Sequence, residues 1–114
     1  MANNVIINLD TFRAREGERV AKVFTGRDRG AQVRKDSKID EIEAANEKVV
    51  LVIPDQIYSI NPSFLEELLK NVVVKLGKEG FYKKFEIQSL GAYEYEAPLA
   101  EAIDRILKEH SAIG

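Results

Sequence analysis

Cysteine is absent from this 114-residue chain, and histidine occurs once, at His110. The absence of thiols excludes disulfides, thiolate catalysis and the cysteine-rich zinc sites. A single histidine excludes a metal site built on a histidine pair, and we expect neither a metal nor a cofactor. A serine–histidine triad would depend on His110 alone, which lies in a polar tail. We therefore expect a protein that is not an enzyme.

Long apolar runs are also missing. No stretch of 18 apolar residues is present, which predicts that no segment spans a membrane. The first residues, "MANNVIINLDTF", lack the basic and apolar regions of a signal peptide. The sequence therefore predicts a cytoplasmic protein with no membrane partner.

Charge is distributed unevenly along the chain. Residues 1–38 hold nine lysines and arginines against five acidic residues, whereas residues 39–114 hold eight against fourteen. A basic segment of this kind is compatible with an anionic partner or with an ordinary solvated surface. Because no nucleic-acid-binding motif surrounds it, nucleic acid is not an expected partner.

Apolar patterns predict four strands. The segment "NVIINLD" alternates as a strand does, and "RVAKVFTG" follows a turn at Gly17, so these two are expected to form an antiparallel hairpin. The segment "KVVLVIPD" is wholly apolar from Val49 to Ile53, which is typical of a central strand covered on both faces. The alternation in "FYKKFEIQSL" predicts the fourth strand.

Three helices are predicted between and after these strands. The first ends near Asn46 and starts either near Asp28 or near Asp36, because both places carry start signals. The segment "FLEELLKNVVVKLG" has an apolar helical face and stops at Gly77; the residues on that face are Leu65, Leu68, Leu69, Val72 and Leu76. The last helix, "APLAEAIDRILKEH", has Pro98 in its first turn.

The predicted order is therefore β-β-α-β-α-β-α. Strands that alternate with helices imply parallel crossovers, here after an antiparallel start. We expect one α/β domain over residues 1–114, with helices packed on a mixed sheet whose buried central strand is 48–53.

Ser63 lies in "SINPSFLEELL", where the chain passes from the central strand to the second helix. Ser63 and Glu66 have the S-x-x-E spacing of a capping box, which by itself explains a serine at this position. The same turn follows a central strand, where open α/β sheets place their sites, and a phosphate there would lie over a helix N-terminus. Two hypotheses follow: Ser63 only caps, or it caps and is also a partner-binding or phosphorylation site. Glu66 and Glu67 are expected on the exposed helix face.

A second candidate site is the glycine-bracketed segment "TGRDRG", residues 25–30. Arg27, Arg29, Gly30 and Arg34 are candidates for anion binding through guanidinium and backbone N–H groups. We expect Arg27 and Arg29 to lie close to the Ser63 turn. The segment lacks the lysine and serine of a P-loop and lacks G-x-G-x-x-G. The alternative function is a small nucleotide- or phosphate-binding domain that uses Arg27, Arg29 and the Ser63 helix N-terminus.

These two segments resemble a bacterial family of STAS-like domains of unknown function, related in layout to the STAS anti-sigma-factor antagonists. Residues 63–67, Ser-Phe-Leu-Glu-Glu, are similar to a "Ser-Phe-Leu/Ala-Glu/Asp-Glu" segment of that family. Arg27, Gly30 and Arg34 are similar to its "R-x-x-G-x-x-x-R" segment. The resemblance covers about residues 20–92 and implies a single-domain STAS-like sandwich.

In STAS antagonists the matching turn reads Asp-Ser-Ser-Gly, and a partner kinase phosphorylates the second serine. Asn61, Pro62, Ser63 and Phe64 occupy those four places here, and only Ser63 matches. The resemblance implies a non-catalytic regulatory or protein-interaction module that docks through the turn and helix starting at Ser63. The implied partner is a histidine-kinase-like ATPase or a regulator of one, and the oligomeric state is left open. The docking candidates are Ser63, Asn61, Pro62, Phe64, Glu66 and Glu67.

Overall fold

The strands form one three-stranded sheet and two short pairs. The structure, a computed structural model, describes residues 4–13, 15–16, 19–20 and 23–113, with side chains for 4–13 and 23–111. The strands are β1 (Asn4–Asn8), β2 (Arg15–Glu16), β3 (Arg19–Val20), β4 (Val23–Phe24), β5 (Lys48–Ile53), β6 (Ser59–Ile60) and β7 (Phe85–Ser89).

A short 3-10 helix follows β1 at Leu9–Phe12, and the described part of the chain forms four α-helices after it. The α-helices are α1 (Arg27–Ser37), α2 (Ile39–Ala45), α3 (Pro62–Lys84) and α4 (Glu96–Ile113). Lys38 separates α1 from α2 because it adopts the left-handed conformation, with φ of 56°. The single helix predicted to end near Asn46 is therefore two helices: the start near Asp28 matches α1, whereas Asp36 lies inside α1 and α2 begins at Ile39. The chain folds as a single α/β domain.

The three-stranded sheet has the order β1-β5-β7 and is parallel throughout. β5 lies in the centre with a parallel neighbour on each side, which confirms the predicted central strand. Four of its apolar residues are buried, while Val50 is half-buried. Val49, Leu51 and Ile53 face the helices and belong to the main hydrophobic core.

The predicted hairpin of the first two strands is wrong, and so is the mixed sheet built on it. β1 pairs in parallel with β5, with Ile7 opposite Leu51. The short antiparallel pair is β2–β3, and β4 pairs in parallel with β6. Alternating residues identify a strand but not its partner, and the pairing with β5 places Ile7 in the core. Gly17, the predicted turn residue, lies outside the described residues.

The predicted fourth strand begins too early. Phe81 to Lys84 are helical, and β7 starts at Phe85. Gly77 interrupts α3 with φ of 75°, so the predicted helix stop is a break after which a second helical segment follows. Phe81 and Phe85 are four positions apart, both are buried, and their rings stack with centroids 4.7 Å apart. This spacing fits a helical turn as well as a strand, which explains the error.

The helices bury the apolar faces that the sequence predicts. α3 packs between α1 and α4, and four of its eight buried residues, Leu65, Leu68, Leu69 and Val72, belong to the predicted stripe. In α4, Leu99, Ala102, Ile103 and Ile106 are buried and Leu107 is half-buried. None of the described helices combines the length and the apolar character needed to cross a membrane.

One carboxylate in this core carries a charge. Glu43 of α2 is only 1% exposed, and it forms ion pairs with Lys84 (2.6 Å) and Lys75 (2.8 Å). Lys84 also donates a hydrogen bond to the Glu43 carbonyl oxygen, at 2.7 Å. Burial opposes the charge, but hydrogen bonds from Lys75 and Lys84 outweigh it and hold the pKa of Glu43 below its ordinary value. The ion pairs of Glu43 with Lys75 and Lys84 therefore stabilise the contact between α2 and α3.

This lowered pKa predicts that the protein loses stability in acid. A carboxylate whose pKa is lowered by folding stabilises the fold fully above its unfolded pKa, about 4.3, and loses that contribution as the pH falls through its folded value. We expect the wild-type free energy of unfolding to fall more steeply below pH 4.3 than that of Glu43→Gln. Urea unfolding between pH 7 and pH 3 measures this, with Glu41→Gln as the exposed control on α2. If the free energy of unfolding changed with pH in the same way for wild type and Glu43→Gln, the lowered pKa of Glu43 would be wrong.

The outer edge of β6 is closed by a side chain. The Tyr93 hydroxyl accepts a hydrogen bond from the Ile60 N–H (3.0 Å) and donates one to the Ile60 carbonyl (3.2 Å). β4 occupies the other edge of β6, where Asn61 N–H donates to the Phe24 carbonyl at 2.8 Å. Both edges of β6 are thus hydrogen-bonded, which fixes the start of α3.

Candidate functional site

The site is the N-terminal end of α3, where the chain leaves β6. Asn61 is the N-cap: its backbone is extended, and its side-chain oxygen accepts the Ser63 N–H at 2.9 Å. Pro62 is the first helical residue, a position that suits proline because no N–H is needed there. Ser63 is therefore the second residue of the helix.

The prediction that Ser63 lies within one residue of the helix start is confirmed, but its predicted role in a capping box is wrong. Asn61 is the N-cap instead, and Glu66 is buried in ion pairs with Arg27 and Arg105. Ser63 is half-buried, and its hydroxyl has no hydrogen bond to any described residue. Asparagine caps about as well as serine, and Asn61, which the sequence analysis did not consider as a cap, is the residue used.

Glu66 connects three helices through ion pairs. Its carboxylate accepts two hydrogen bonds from Arg27 of α1, at 3.2 and 3.3 Å, and lies 3.9 Å from Arg105 of α4. The expectation that Glu66 lies on an exposed face is wrong, since only 2% of the residue is exposed. Glu67, 3.7 Å from Arg27, is half-buried. The hydrogen bond with Glu66 raises the pKa of Arg27 above its ordinary value.

The two segments of the resemblance face each other across the contact between α1 and α3. Arg27 binds Glu66, and Arg34 donates to the Glu67 carbonyl at 2.5 Å. Gly30 lies so close to α3 that a Cβ atom there would overlap the Phe64 carbonyl oxygen. All three residues of the R-x-x-G-x-x-x-R spacing thus contact residues 64–67, which gives both segments a structural role.

Arg29 is not part of this arrangement. Its guanidinium donates a hydrogen bond to the Phe12 carbonyl, on the 3-10 helix after β1. Arg27 does lie beside the start of α3, as expected, but its donors go to carboxylates. The guanidinium groups of Arg27, Arg29 and Arg34 all make contacts within the fold, so the geometry gives the anion-binding hypothesis no support.

The candidate docking residues differ in accessibility. Asn61 is exposed, whereas Pro62, Ser63 and Glu67 are half-buried. Phe64 and Glu66 are buried and do not reach the surface; Phe64 packs against Phe24, with ring centroids 5.0 Å apart. A partner would therefore meet Asn61, Pro62, Ser63 and Glu67.

Sequence reasoning missed Arg105. This α4 residue pairs with Glu101 at 2.8 Å, one turn away, and lies 3.9 Å from Glu66. The spacing of Glu101 and Arg105 predicts a local helix pair, which it is. Nothing local in the sequence signals the contact with α3.

The cap assignment gives a direct test. We expect Asn61→Ala to lower the free energy of unfolding by about 1 kcal/mol, because it removes the acceptor for the Ser63 N–H. Ser63→Ala should change it by less than about 0.5 kcal/mol, as is usual for a polar side chain without such a role. Urea unfolding of both variants measures the difference. A greater loss in Ser63→Ala than in Asn61→Ala would mean that serine is the cap after all.

The fold and this site define a single α/β domain with a parallel sheet and an ion-paired junction of three helices. Comparisons with protein-family models, with curated proteins and with solved structures found no match for the chain. The resemblance to STAS-like domains therefore stays a prediction.

Proposed function

We propose that this protein is a non-catalytic regulatory or protein-interaction module, which docks its partner through the N-terminal end of α3. The observation that carries the proposal is the Ser63 hydroxyl. It lies at the second position of the helix and has no hydrogen bond to any described residue, while Asn61 provides the cap. Helix capping therefore does not account for this serine, and its hydroxyl is free of bonds to the described residues for a partner or a modifying enzyme to use.

The surface around Ser63 is polar and mixed in charge. It consists of exposed Ser59 and Asn61, half-buried Ser63 and Glu67, and Arg27, whose side chain is 53% exposed. Polar surfaces of this kind suit a reversible contact better than an obligate one, whose interface is more apolar. We define these five residues as the Ser63 surface.

A phosphate on Ser63 would act on the ion pair beneath it. Glu66 and Glu67 follow Ser63 by three and four positions, so they lie on the same side of the helix. Phosphorylation adds nearly two negative charges, which the helix N-terminus favours and the two glutamates oppose. A phosphate within reach of Arg27 would compete with Glu66 and Glu67 for its guanidinium. The modification would thus alter the contact between α1 and α3 as well as the surface that a partner meets.

The chemical class of the partner rests on the resemblance. A histidine-kinase-like ATPase, or a regulator of one, is the partner that a STAS-type module would bind. The non-catalytic assignment rests on the sequence, which has no cysteine and only His110 as an imidazole base.

The test uses two substitutions at Ser63 and one control. Ser63→Asp is expected to reduce partner capture from a native extract at least tenfold, because it adds charge to the Ser63 surface. Ser63→Ala should retain the partner, and so should Ala44→Asp, which adds the same charge at an exposed position of α2. Quantitative mass spectrometry measures capture, and thermal melting confirms that all three variants fold.

Two results would overturn the proposal. Equal capture by wild type and Ser63→Asp would show that the Ser63 surface does not bind the partner. Enrichment of metabolic enzymes alone, with no histidine-kinase-like ATPase or regulator, would show that the partner class is wrong.

A further inference from the structure

Glu66 has two arginine partners on two different helices, and they share one of its oxygens. Arg27 of α1 donates to both carboxylate oxygens, at 3.2 and 3.3 Å. Arg105 of α4 lies 3.9 Å from Oε2, the oxygen that also accepts the Nη2 group of Arg27. The contact with Arg27 is therefore the closer one, and Arg105 lies about 1 Å beyond the usual length of a charge-assisted hydrogen bond.

Arg105 divides its two terminal nitrogens between two carboxylates. Nη2 donates to Glu101 of α4 at 2.8 Å, whereas Nη1 faces Glu66. The Glu101 side chain is 53% exposed and that of Glu66 is 2% exposed. An exposed ion pair along one helix stabilises a protein little, but a buried carboxylate without a partner destabilises it strongly. When Glu66 lacks Arg27, the favoured partner of Arg105 is therefore Glu66.

The contact between α3 and α4 beside Glu66 is not tightly packed. Among the described residues, Glu66 forms part of the wall of a cavity of about 140 Å³, and Ile106, Glu109 and His110 form the α4 side of that wall. The Arg105 side chain is itself 43% exposed, so packing does not fix it on all sides. A movement of about 1 Å, which would bring its guanidinium to hydrogen-bond distance from Glu66, is therefore sterically allowed.

Arg27 is the partner of Glu66 that an outside group can withdraw. It is the first residue of α1, its side chain is 53% exposed, and it belongs to the Ser63 surface. A phosphate on Ser63, or an acidic group of a bound protein, would compete with Glu66 for its guanidinium. This step rests on the proposed function, because it requires that the Ser63 surface is modified or occupied.

We propose that Arg105 is a second counter-ion for Glu66, and that withdrawal of Arg27 moves Arg105 from Glu101 to Glu66. The buried carboxylate then has a cationic partner in both arrangements. The exposed ion pair of α4 is lost when the Ser63 surface is modified or occupied, so a change at the start of α3 also changes the surface of α4.

The first test is a crystal structure of Arg27→Gln, which removes the guanidinium from Glu66. An Arg105 nitrogen should lie within about 3 Å of the Glu66 carboxylate, and the hydrogen bond to Glu101 should be lost. The protein that carries a phosphate on Ser63 should show the same change. Arg29→Gln is the matched control, because Arg29 donates to the Phe12 carbonyl and not to Glu66, and here Arg105 should remain on Glu101.

Urea unfolding tests the same assignment by a double-mutant cycle. The equilibrium constant for unfolding should rise at least tenfold more in Arg27→Gln/Arg105→Gln than the two single variants together predict, because only the double variant leaves Glu66 without a cation. Arg105→Gln alone should have a small effect, since Arg27 stays in place. Arg27→Gln combined with Arg105→Lys should unfold much as Arg27→Gln does, because lysine keeps the charge.

Two results would overturn the inference. Additive effects of Arg27→Gln and Arg105→Gln would mean that solvent, and not Arg105, compensates the charge of Glu66 when Arg27 is withdrawn. Arg105 still bound to Glu101 in Arg27→Gln, or in the phosphorylated protein, would mean that the two surfaces are not coupled. Both measurements use the protein without its partner, so they can fail while Ser63→Asp still reduces partner capture. Failure of the capture experiment, in turn, would leave the double-mutant cycle unchanged.

Discussion

Glu43→Gln is expected to lower the free energy of unfolding at pH 7 by about 3 kcal/mol, which is the low end for removing one partner of a buried ion pair. The carboxylate is buried and lies 2.6 Å from Lys84, whose side chain is only 21% exposed. Without the negative charge, the Lys84 ammonium is left in a poorly solvated position between α2 and the end of α3. Urea unfolding with a common slope measures the change.

The two lysines should contribute unequally. Lys84→Gln is expected to lower the free energy of unfolding more than Lys75→Gln does. The Lys75 side chain is mostly exposed, whereas Lys84 also donates a hydrogen bond to the Glu43 carbonyl. Glu41→Gln, the matched substitution at an exposed position of α2, should change stability by less than about 0.5 kcal/mol. Similar small effects for Glu43→Gln and Glu41→Gln would show that the buried pair contributes nothing net.

Gly30→Ala is expected to destabilise the fold by about 2 kcal/mol, since overfilling a tight contact outweighs the gain in helix propensity. The added Cβ would overlap the Phe64 carbonyl oxygen and lie 3.0 Å from the Glu67 Cβ. A carbonyl of the α3 backbone cannot turn aside as a side chain can, so α1 and α3 must move apart. Thermal and urea unfolding measure the loss.

Gly80→Ala provides the matched control, because Gly80 is also a helical glycine. Its added Cβ would meet only the Leu76 Cβ, at 3.2 Å. We expect the free energy of unfolding of Gly80→Ala to lie within about 1 kcal/mol of the wild-type value, since the gain in helix propensity offsets the close contact. If both alanine variants were equally stable, the contact between α1 and α3 would be more adaptable than its geometry indicates.

The sequence predicted those elements whose structure depends on their own residues. β5 is apolar from Val49 to Ile53, and its central place follows from that pattern alone. α4 has its apolar residues on one helical face and Pro98 in its first turn. The pairing of β1 with β5 was not predictable in this way. Ile7 lies opposite Leu51, which is far along the chain, and a local pattern does not identify a strand's partner.

The buried charges escaped prediction for the same reason. Glu66 and Arg27 are 39 positions apart, and Glu43 and Lys84 are 41 apart. In a helix pattern a glutamate is assigned to the exposed face, since burial of a carboxylate is favourable only with a partner. The sequence located the helix start near Ser63 correctly. The residue that caps the helix depends on where β6 ends, and Asn61 is the last extended residue before α3.

The hydroxyl of Tyr93 also affects the tendency of the protein to aggregate at high concentration. A strand edge with free N–H and C=O groups is a template on which another chain can add a strand, and this is a common route to aggregation. Tyr93 occupies both groups of Ile60 with a side chain, which offers no further backbone for a third strand to join. Phenylalanine at this position would keep the ring and free the edge. The hydroxyl of Tyr93 therefore protects β6 from intermolecular strand addition, a role that concerns solubility and leaves the core unaffected.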